Sequence, residues 1–330
     1  MAPHPQRLSV SRRSWPLAQP FAISRGSKTT ADVVIAEIFD GDFRGRGECV
    51  PYPHYGESVD SVAAALEAMK GAVFSGLDRA ALQRAMPRGA ARNALDAAFW
   101  DIEAKREDRR AADLAGLGPL QPLVTAYTLS LDTPERMGEA AAAQRARPLL
   151  KLKLTGDGDL DRVRAVRANA PASRLIVDAN EGWTARHFAE LAPGLAELGV
   201  ELIEQPLPAG DDAALAELPH PIPVCADESC HTASDLDGLV GKYDAINIKL
   251  DKTGGLTEAL LLAEEGRRRG FALMVGCMIG TSLAMAPAML VAQQASVVDL
   301  DAPLLLAQDR VPGLHYEGSL VHPPDSRLWG

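Results

Sequence analysis

The chain has 330 residues, enough for one large domain and a smaller one. Apolar residues make up 47% and charged residues 24%, and Asp plus Glu outnumber Lys plus Arg by 44 to 34, so the net charge is −10. An acidic chain without a basic run is a poor candidate for binding nucleic acid or an anionic membrane. We expect neither as a partner.

The N-terminus and the cysteines indicate a cytoplasmic protein. No apolar run reaches the length of a membrane span, and residues 1–20 lack the uninterrupted apolar core of a signal peptide. The cysteines form neither a CxxC pair nor a dense disulfide pattern; they are Cys49, Cys225, Cys230 and Cys277. We therefore expect free thiols in a reducing compartment.

The first part of the chain mixes strand and helix patterns. Residues 30–51 predict two strands around a Gly-bearing turn. Residues 58–74 and 91–108 predict helices, the second with apolar residues at three- and four-residue steps. The Gly- and Pro-rich residues 115–122 mark the best boundary. We predict an α+β domain over residues 1–118.

After this boundary, apolar β-branched runs alternate with helix-like stretches. Eight strand candidates follow one another: LVTAYTLSL, LLKLKLTG, RLIVDANEGW, VELIEQPLP, PIPVCADES, DAINIKLDKTGG, FALMVGCMIGTS and SVVDLDAP. Buried parallel strands have such continuous apolar runs, and βα units of this kind close into a barrel. We predict an α/β fold with a (β/α)8-type (TIM-like) barrel over residues 119–310. Residues 311–330 have no helix pattern and would return to pack on the first domain.

Polar side chains follow these strands, at the end where barrel enzymes have their active sites. In chain order they are Lys151, Lys153, Asp178, Glu204, Asp227, Lys249, Asp299 and Asp301. The steps 178–204, 204–227 and 227–249 are 26, 23 and 22 residues, one compact βα unit each. Three carboxylates at one height suit a hard cation with oxygen ligands. Asp178, Glu204 and Asp227 are therefore predicted to bind Mg²⁺.

The strand LLKLKLTG carries two lysines on one face, because strand side chains alternate. A metal cation and partial desolvation would lower the pKa of Lys151 and Lys153 from about 10.4 towards neutrality, where an amine can act as a general base. Lys249 comes from across the barrel, four strands later. A substrate between Lys153 and Lys249 would meet an acid/base group on each face, so proton removal on one side and return on the other would invert a stereocentre.

The chain resembles the muconate-lactonising subgroup of the enolase superfamily, and five motifs carry the resemblance: KLKL, DANEGW, EQP, ADES and NIKLDKTGG. The resemblance covers nearly the whole chain and implies an α+β capping domain followed by a modified barrel with one Mg²⁺ per subunit. It implies that Lys153 and Lys249 are the acid/base pair, and that Lys151 tunes Lys153 and contacts the substrate carboxylate. Glu228, beside Asp227, would point to the opposite face and is not expected to be a ligand.

The motif VVDLDAP bears on the substrate, because the negative charges of Asp299 and Asp301 on one strand face require a cation. Dipeptide epimerases of this superfamily have a similar DxD, which holds the N-terminal ammonium group of the dipeptide. The alternative for this motif is a strand-end cap with a surface ion pair. By similarity to L-Ala-D/L-Glu epimerases, Arg25 would face the second carboxylate of the substrate. Tyr55 and Met278 would line the pocket.

The resemblance thus implies an isomerase that epimerises the C-terminal residue of dipeptides, of the L-Ala-D/L-Glu type, through an enolate in the recycling of cell-wall peptides. The same parts occur in o-succinylbenzoate synthases, N-acylamino-acid racemases and muconate cycloisomerases, so the fold leaves these alternatives open. A barrel retained as a binding module is the non-enzymatic alternative, and the complete set of lysines and carboxylates argues against it. The sequence also leaves a homo-oligomer open.

Overall fold

A computed structural model describes residues 6–330, and the first part is a three-stranded antiparallel sheet covered by helices. The strands are β1 (Arg7–Ile23), β2 (Gly26–Asp40) and β3 (Phe43–Cys49), in the order β1-β2-β3. The sequence predicted β2 and β3 but missed β1, because β1 is exposed along much of its length and lacks a regular apolar alternation.

Helices follow in the first domain: α1 (Val59–Ala68), α2 (Lys70–Phe74), α3 (Arg79–Ala85), α4 (Ala90–Arg106) and α5 (Ala111–Leu114). The single helix predicted over residues 58–74 is therefore two helices that meet at Met69. Helix α4 packs closely on β3, because a Cβ atom at Gly45 or Gly47 would collide with backbone carbonyls of the helix. These two glycines let the helix and the sheet approach each other.

The second part is a parallel sheet of eight strands, preceded by β4 (Leu123–Val124). Its strands are β5 (Tyr127–Leu129), β6 (Leu149–Lys153), β7 (Arg174–Asp178), β8 (Val200–Glu204), β9 (Val224–Ala226), β10 (Ala245–Ile248), β11 (Ala272–Val275) and β12 (Val297–Val298). The edges meet where the N–H of Ala126 donates to the carbonyl of Val298 at 2.8 Å. The predicted TIM-like barrel with an N-terminal capping domain is confirmed.

Helices form most of the connections between barrel strands: α6 (Pro134–Ala143), α7 (Asp159–Asn169), α8 (Ala185–Glu197), α9 (Leu250–Thr253), α10 (Leu256–Arg268) and α11 (Ser282–Ala292). Helix α12 (Ala302–Leu305) follows the last barrel strand. The connections after β8 and β9 contain 3₁₀ turns instead, at Ala213–Ala216 and Ala233–Gly238. Within residues 6–330, no helix combines the length and the apolar character that crossing a membrane requires.

Strand β6 has the predicted alternation. Leu150, Leu152 and Leu154 are buried in the large apolar cluster between the sheet and its helices. Leu149 belongs to a smaller cluster that takes single residues from neighbouring strands. Because Lys151 and Lys153 are two and four residues further on, their side chains share the face of Leu149, inside the barrel.

The end of the chain contacts both domains. Strands β13 (Tyr316–Glu317) and β14 (Leu320–Val321) form a hairpin, and β14 pairs with β4. The indole of Trp329 then donates to the carbonyl of Ala97 at 3.0 Å, and the N–H of Gly330 to Asp101 at 2.7 Å, both on α4. The domain bounds 1–118, 119–310 and 311–330 stay a prediction, which these contacts support.

Glu48 on β3 connects the capping domain to the barrel. Its buried carboxylate accepts hydrogen bonds from the N–H and hydroxyl groups of Thr281, at 2.7 and 2.8 Å, and from Arg310 at 2.8 Å. Thr281 caps the N-terminus of α11. Burial raises the pKa of Glu48 although these donors oppose the shift. The carboxylate therefore depends on all three donors.

Glu48→Gln should lower the free energy of unfolding by about 1–3 kcal/mol, because Arg310 loses a buried ionic acceptor. Denaturant unfolding at pH 7 measures the change. Glu37→Gln is the matched control, since Glu37 on β2 pairs with the half-exposed Arg44 and should contribute less than about 1 kcal/mol. Equal unfolding midpoints for Glu48→Gln and wild type would contradict a supporting role for this contact.

Candidate active site

A cleft of about 910 Å³ lies between the capping domain and the carboxyl ends of the barrel strands. It brings together most of the predicted site residues: Arg25, Tyr55, Lys151, Lys153, Asp227, Lys249, Met278, Asp299 and Asp301. Asp178 and Glu204 are buried beside it, within 3.2 Å and 2.7 Å of the Lys151 ammonium group. All of the predicted site residues are thus in one region.

Three buried carboxylates form the floor of this region. Asp178 and Glu204 are paired in the register of β7 and β8, and Asp227 follows the end of β9. One oxygen from each lies within 4.8 Å of the others. Oε2 of Glu204 and Oδ1 of Asp227 accept no hydrogen bond of normal geometry, although lysine ammonium groups lie 2.7 and 2.6 Å away. A buried all-oxygen group with such atoms fits a hard divalent cation.

Two lysine ammonium groups on β6 contact the carboxylates. Lys151 Nζ lies 2.7 Å from both Glu204 and Asp299. Lys153 Nζ lies 2.6 Å from Asp178, its neighbour in the register of β6 and β7. The parallel register thus places Lys153 beside a carboxylate of the neighbouring strand.

The opposite side of the barrel supplies two more lysines. Lys249 Nζ donates to Oδ2 of Asp227, and Lys252 Nζ lies 2.6 Å from the other oxygen. Lys252 also donates to the carbonyl of Asn247 at 2.8 Å. Sequence reasoning missed Lys252, although its position one helical turn after Lys249 in NIKLDKTGG was a usable signal.

The lowering of the lysine pKa values was expected for a site with a bound metal ion and stays a prediction; the acidic neighbours of Lys151 by themselves act in the opposite direction. Burial lowers the pKa of Lys151, but Asp299, Glu204 and Asp178 together raise it well above the usual value. Burial likewise lowers the pKa of Lys249, and Asp227 and Glu204 more than reverse the effect. The expectation omitted these direct ion pairs. Burial, with the charge of Asp178, raises the pKa of Glu204 to about 7.

Glu228 lies in the cleft, so the expectation that it points to the opposite face was wrong. Strand β9 ends at Ala226, and regular alternation therefore stops before Asp227 and Glu228, both of which line the cleft. Glu228 accepts a hydrogen bond from Arg25 at 2.6 Å. Burial and the charge of Asp227 raise its pKa to about 7. That Glu228 is not a metal ligand stays a prediction.

Arg25 reaches the cleft from the turn between β1 and β2. Besides Glu228, its guanidinium group donates to Glu181 and to the Tyr52 hydroxyl, both at 2.9 Å. Tyr52 and Tyr55 belong to the loop after β3, and their rings contact each other edge to face. Sequence reasoning identified Arg25 and Tyr55 but missed their partners, because those partners are distant in the chain.

Asp299 and Asp301 lie just beyond the end of β12, and both are buried. Asp301 directly precedes α12, but its side chain makes no capping hydrogen bond to that helix; its carboxylate accepts from the N–H of Thr128 at 2.6 Å. The structure therefore does not support the capping alternative. Burial and the charge of Asp299 raise the pKa of Asp301 to about 7.

Comparisons with known proteins show the family to which the chain belongs. Residues 6–116 match the family described as mandelate racemase / muconate lactonizing enzyme, N-terminal domain, and residues 135–326 match the description enolase C-terminal domain-like. The L-Ala-D/L-Glu epimerase of Escherichia coli (strain K12) is 48% identical over 96% of this chain and 99% of its own. The N-acetyl-D-glutamate racemase of a Pseudoalteromonas species is 45% identical over 90% and 95%.

A solved structure is similar over nearly the whole chain. It is an enolase family member from Agrobacterium tumefaciens with homology to dipeptide epimerases, with bound sodium and L-Ala-L-Glu. It is 56% identical to this chain, with a TM-score of 0.98 and coverage of 99% of this chain and 100% of its own. From these matches, the chain belongs to the mandelate racemase/muconate lactonizing enzyme family of the enolase superfamily, as its motifs predicted.

Proposed function

We propose that this protein is a Mg²⁺-dependent dipeptide epimerase that inverts the α-carbon of the C-terminal residue, with L-Ala-D/L-Glu-type dipeptides as substrates. One observation carries the proposal: Lys153 and Lys249 enter the same cleft from β6 and β10, four strands apart in the eight-stranded barrel. An α-carbon between them would have an amine on each face. The names of the relatives from Escherichia coli and Agrobacterium tumefaciens favour the dipeptide as the substrate class.

The proposed reaction is a transfer of two protons. One of Lys153 and Lys249 removes the α-proton, and the other donates a proton to the opposite face, so that the product has the inverted configuration. Asp178, Glu204 and Asp227 would hold Mg²⁺, which supplies a Lewis acid for the negative charge that proton removal places on the substrate carboxylate. Lys151, which contacts two of these acids, would orient that carboxylate.

The N-terminal ammonium group of the dipeptide would bind Asp299 and Asp301. Lys151 is the cation beside Asp299, but Asp178 and Glu204 share it, so the two carboxylates lack a full countercharge. The raised pKa of Asp301 reflects the same deficit. A substrate ammonium group would relieve it. Arg25 would bind the side-chain carboxylate of a C-terminal Glu in competition with its present acidic partners.

An N-acylamino-acid racemase is the second candidate, and the similarity to the N-acetyl-D-glutamate racemase of Pseudoalteromonas favours it. Its substrate would use the same lysines and carboxylates but has no ammonium group. Asp299 and Asp301 would then face a neutral amide and remain uncompensated in a buried place. For this reason the dipeptide is the better substrate.

We also propose a cytoplasmic location and a role in the recycling of cell-wall peptides. The four cysteines are free, as expected for a reducing compartment, and burial raises the pKa of the Cys49 and Cys225 thiols, which makes them unreactive. The role in recycling follows from the proposed substrate. A homo-oligomer stays a prediction.

Glu204→Gln should lower kcat/KM by several orders of magnitude, because the metal loses a charged oxygen ligand. EDTA should abolish wild-type epimerisation and added Mg²⁺ restore it. Glu201→Gln is the matched control, since Glu201 lies on the exposed face of the same strand and pairs with Arg174 at 2.6 Å. Wild-type kinetics in Glu204→Gln would contradict the metal assignment.

Lys153→Ala and Lys249→Ala should each abolish epimerisation, because each removes one of the two proton carriers. Proton NMR in D₂O, starting separately from L-Ala-L-Glu and L-Ala-D-Glu, measures exchange and inversion together. Each variant should exchange the α-proton of at most one epimer, with retained configuration. Lys70→Ala, on the exposed surface of α2, serves as the control. Undiminished epimerisation in Lys249→Ala would indicate a one-base mechanism instead.

N-propionyl-L-glutamate, which differs from L-Ala-L-Glu only in lacking the ammonium group, should be a much poorer substrate. Loss of a partner from a desolvated charged contact costs about 2–5 kcal/mol, roughly 30-fold to several-thousand-fold in kcat/KM. Asp301→Asn should narrow the difference in kcat/KM between the two substrates, because it should lower kcat/KM for the dipeptide selectively. Arg25→Ala is the control. It should lower kcat/KM for L-Ala-L-Glu more than for L-Ala-L-Ala, and leave the ratio of kcat/KM between L-Ala-L-Glu and N-propionyl-L-glutamate unchanged. If wild type prefers N-propionyl- or N-acetyl-L-glutamate, the racemase replaces the epimerase.

A further inference from the structure

We propose a second metal site, for Zn²⁺ or a similar borderline divalent cation, formed by His315, Glu317 and His322 on the C-terminal hairpin. The hairpin register pairs Tyr316 with Val321, so the next pair along it is His315 with His322. The N–H of His322 donates to the carbonyl of His315 at 2.9 Å, which confirms that pairing. Glu317 is two residues from His315, and the three side chains therefore share one face.

The donor atoms of the three residues lie close together. Nε2 of His315 lies 3.1 Å from Oε1 of Glu317, and Nε2 of His322 lies 3.7 Å from Oε2. One ligand atom from each residue lies within 4.8 Å of the others. With Zn–N and Zn–O distances near 2.0–2.1 Å, the ligand atoms of a tetrahedral site are about 3.3 Å apart. Small side-chain rotations would bring the three into that geometry.

One imidazole nitrogen lacks a partner. Nε2 of His322 is buried and accepts or donates no hydrogen bond within residues 6–330. Buried polar atoms without a partner are uncommon and call for an explanation. An ion pair with Glu317 does not supply one, because 3.7 Å is too long for a hydrogen bond and the glutamate is largely exposed. A metal ion between the side chains would satisfy this nitrogen.

The ligand set separates this site from the carboxylate floor of the cleft. Two imidazoles and one carboxylate favour Zn²⁺ and its transition-metal neighbours, whereas three carboxylates favour Mg²⁺. The sites are also formed by different residues, since His315, Glu317 and His322 do not line the cleft, and the hairpin bonds to Thr125, just before β5 begins, through Ser319. The metal would fasten β13 to β14, and through β14 the end of the chain to β4.

Calorimetric titration of untagged, chelator-treated protein with Zn²⁺ tests the proposal, with excess Mg²⁺ present to occupy the cleft. We expect one Zn²⁺ per chain and a Zn²⁺-dependent rise in Tm. His315→Gln and His322→Gln should each weaken Zn²⁺ binding at least roughly 10- to 100-fold, which is the loss that removal of an outer-shell partner causes in metal sites. His220→Gln is the matched control, because His220 pairs with a single carboxylate, Asp244, at 2.9 Å.

Cobalt(II) absorption gives a second readout, since tetrahedral coordination produces intense visible bands that His322→Gln should lose. Circular dichroism of each variant establishes that it is folded. Equal Zn²⁺ affinity in wild type and His315→Gln would overturn the proposal. So would Zn²⁺ binding that occurs only with dimer formation in size-exclusion chromatography, because the metal would then lie between two copies of the chain.

Discussion

The structure depends on how the charges of acidic side chains buried at one end of the barrel are compensated. Six carboxylates are buried there, those of Asp178, Glu204, Asp227, Glu228, Asp299 and Asp301. Four buried ammonium groups face them, those of Lys151, Lys153, Lys249 and Lys252. A buried charge without a partner is strongly destabilising. Arg25, which lies 2.6 Å from Glu228, adds a fifth cation. The carboxylates still outnumber the cations, so this end of the barrel can accept a metal ion and a charged substrate.

Parallel strand register makes this compensation possible. Lys153 pairs with Asp178 and Asp178 with Glu204, so one residue from each of three neighbouring strands reaches the same height. No loop has to be ordered to bring these groups together, and the geometry is set by the backbone hydrogen bonds of the barrel. Such rigid placement suits proton transfer, in which donor and acceptor must be held within hydrogen-bond distance of the reacting carbon.

The two domains supply different groups of side chains to the cleft. Strand ends of the barrel supply the lysines and carboxylates, whereas the capping domain supplies Arg25 and the loop after β3 with Tyr52 and Tyr55. Contacts such as Arg25 with Glu228, and Glu48 with Thr281, join the two. The preference for the substrate's second side chain can therefore change through capping-domain residues while the proton-transfer groups stay the same.

The sequence by itself determined the barrel, its strand order and the residues at its active end. These follow from local features: apolar runs, two-residue alternation in LLKLKLTG, and one βα unit between successive carboxylates. Only the tertiary structure decided the exposed β1, the orientation of Glu228, the role of Lys252 and the raised pKa of Lys151. Each of these depends on where a strand ends or which distant group lies nearby, and local periodicity carries no information about either.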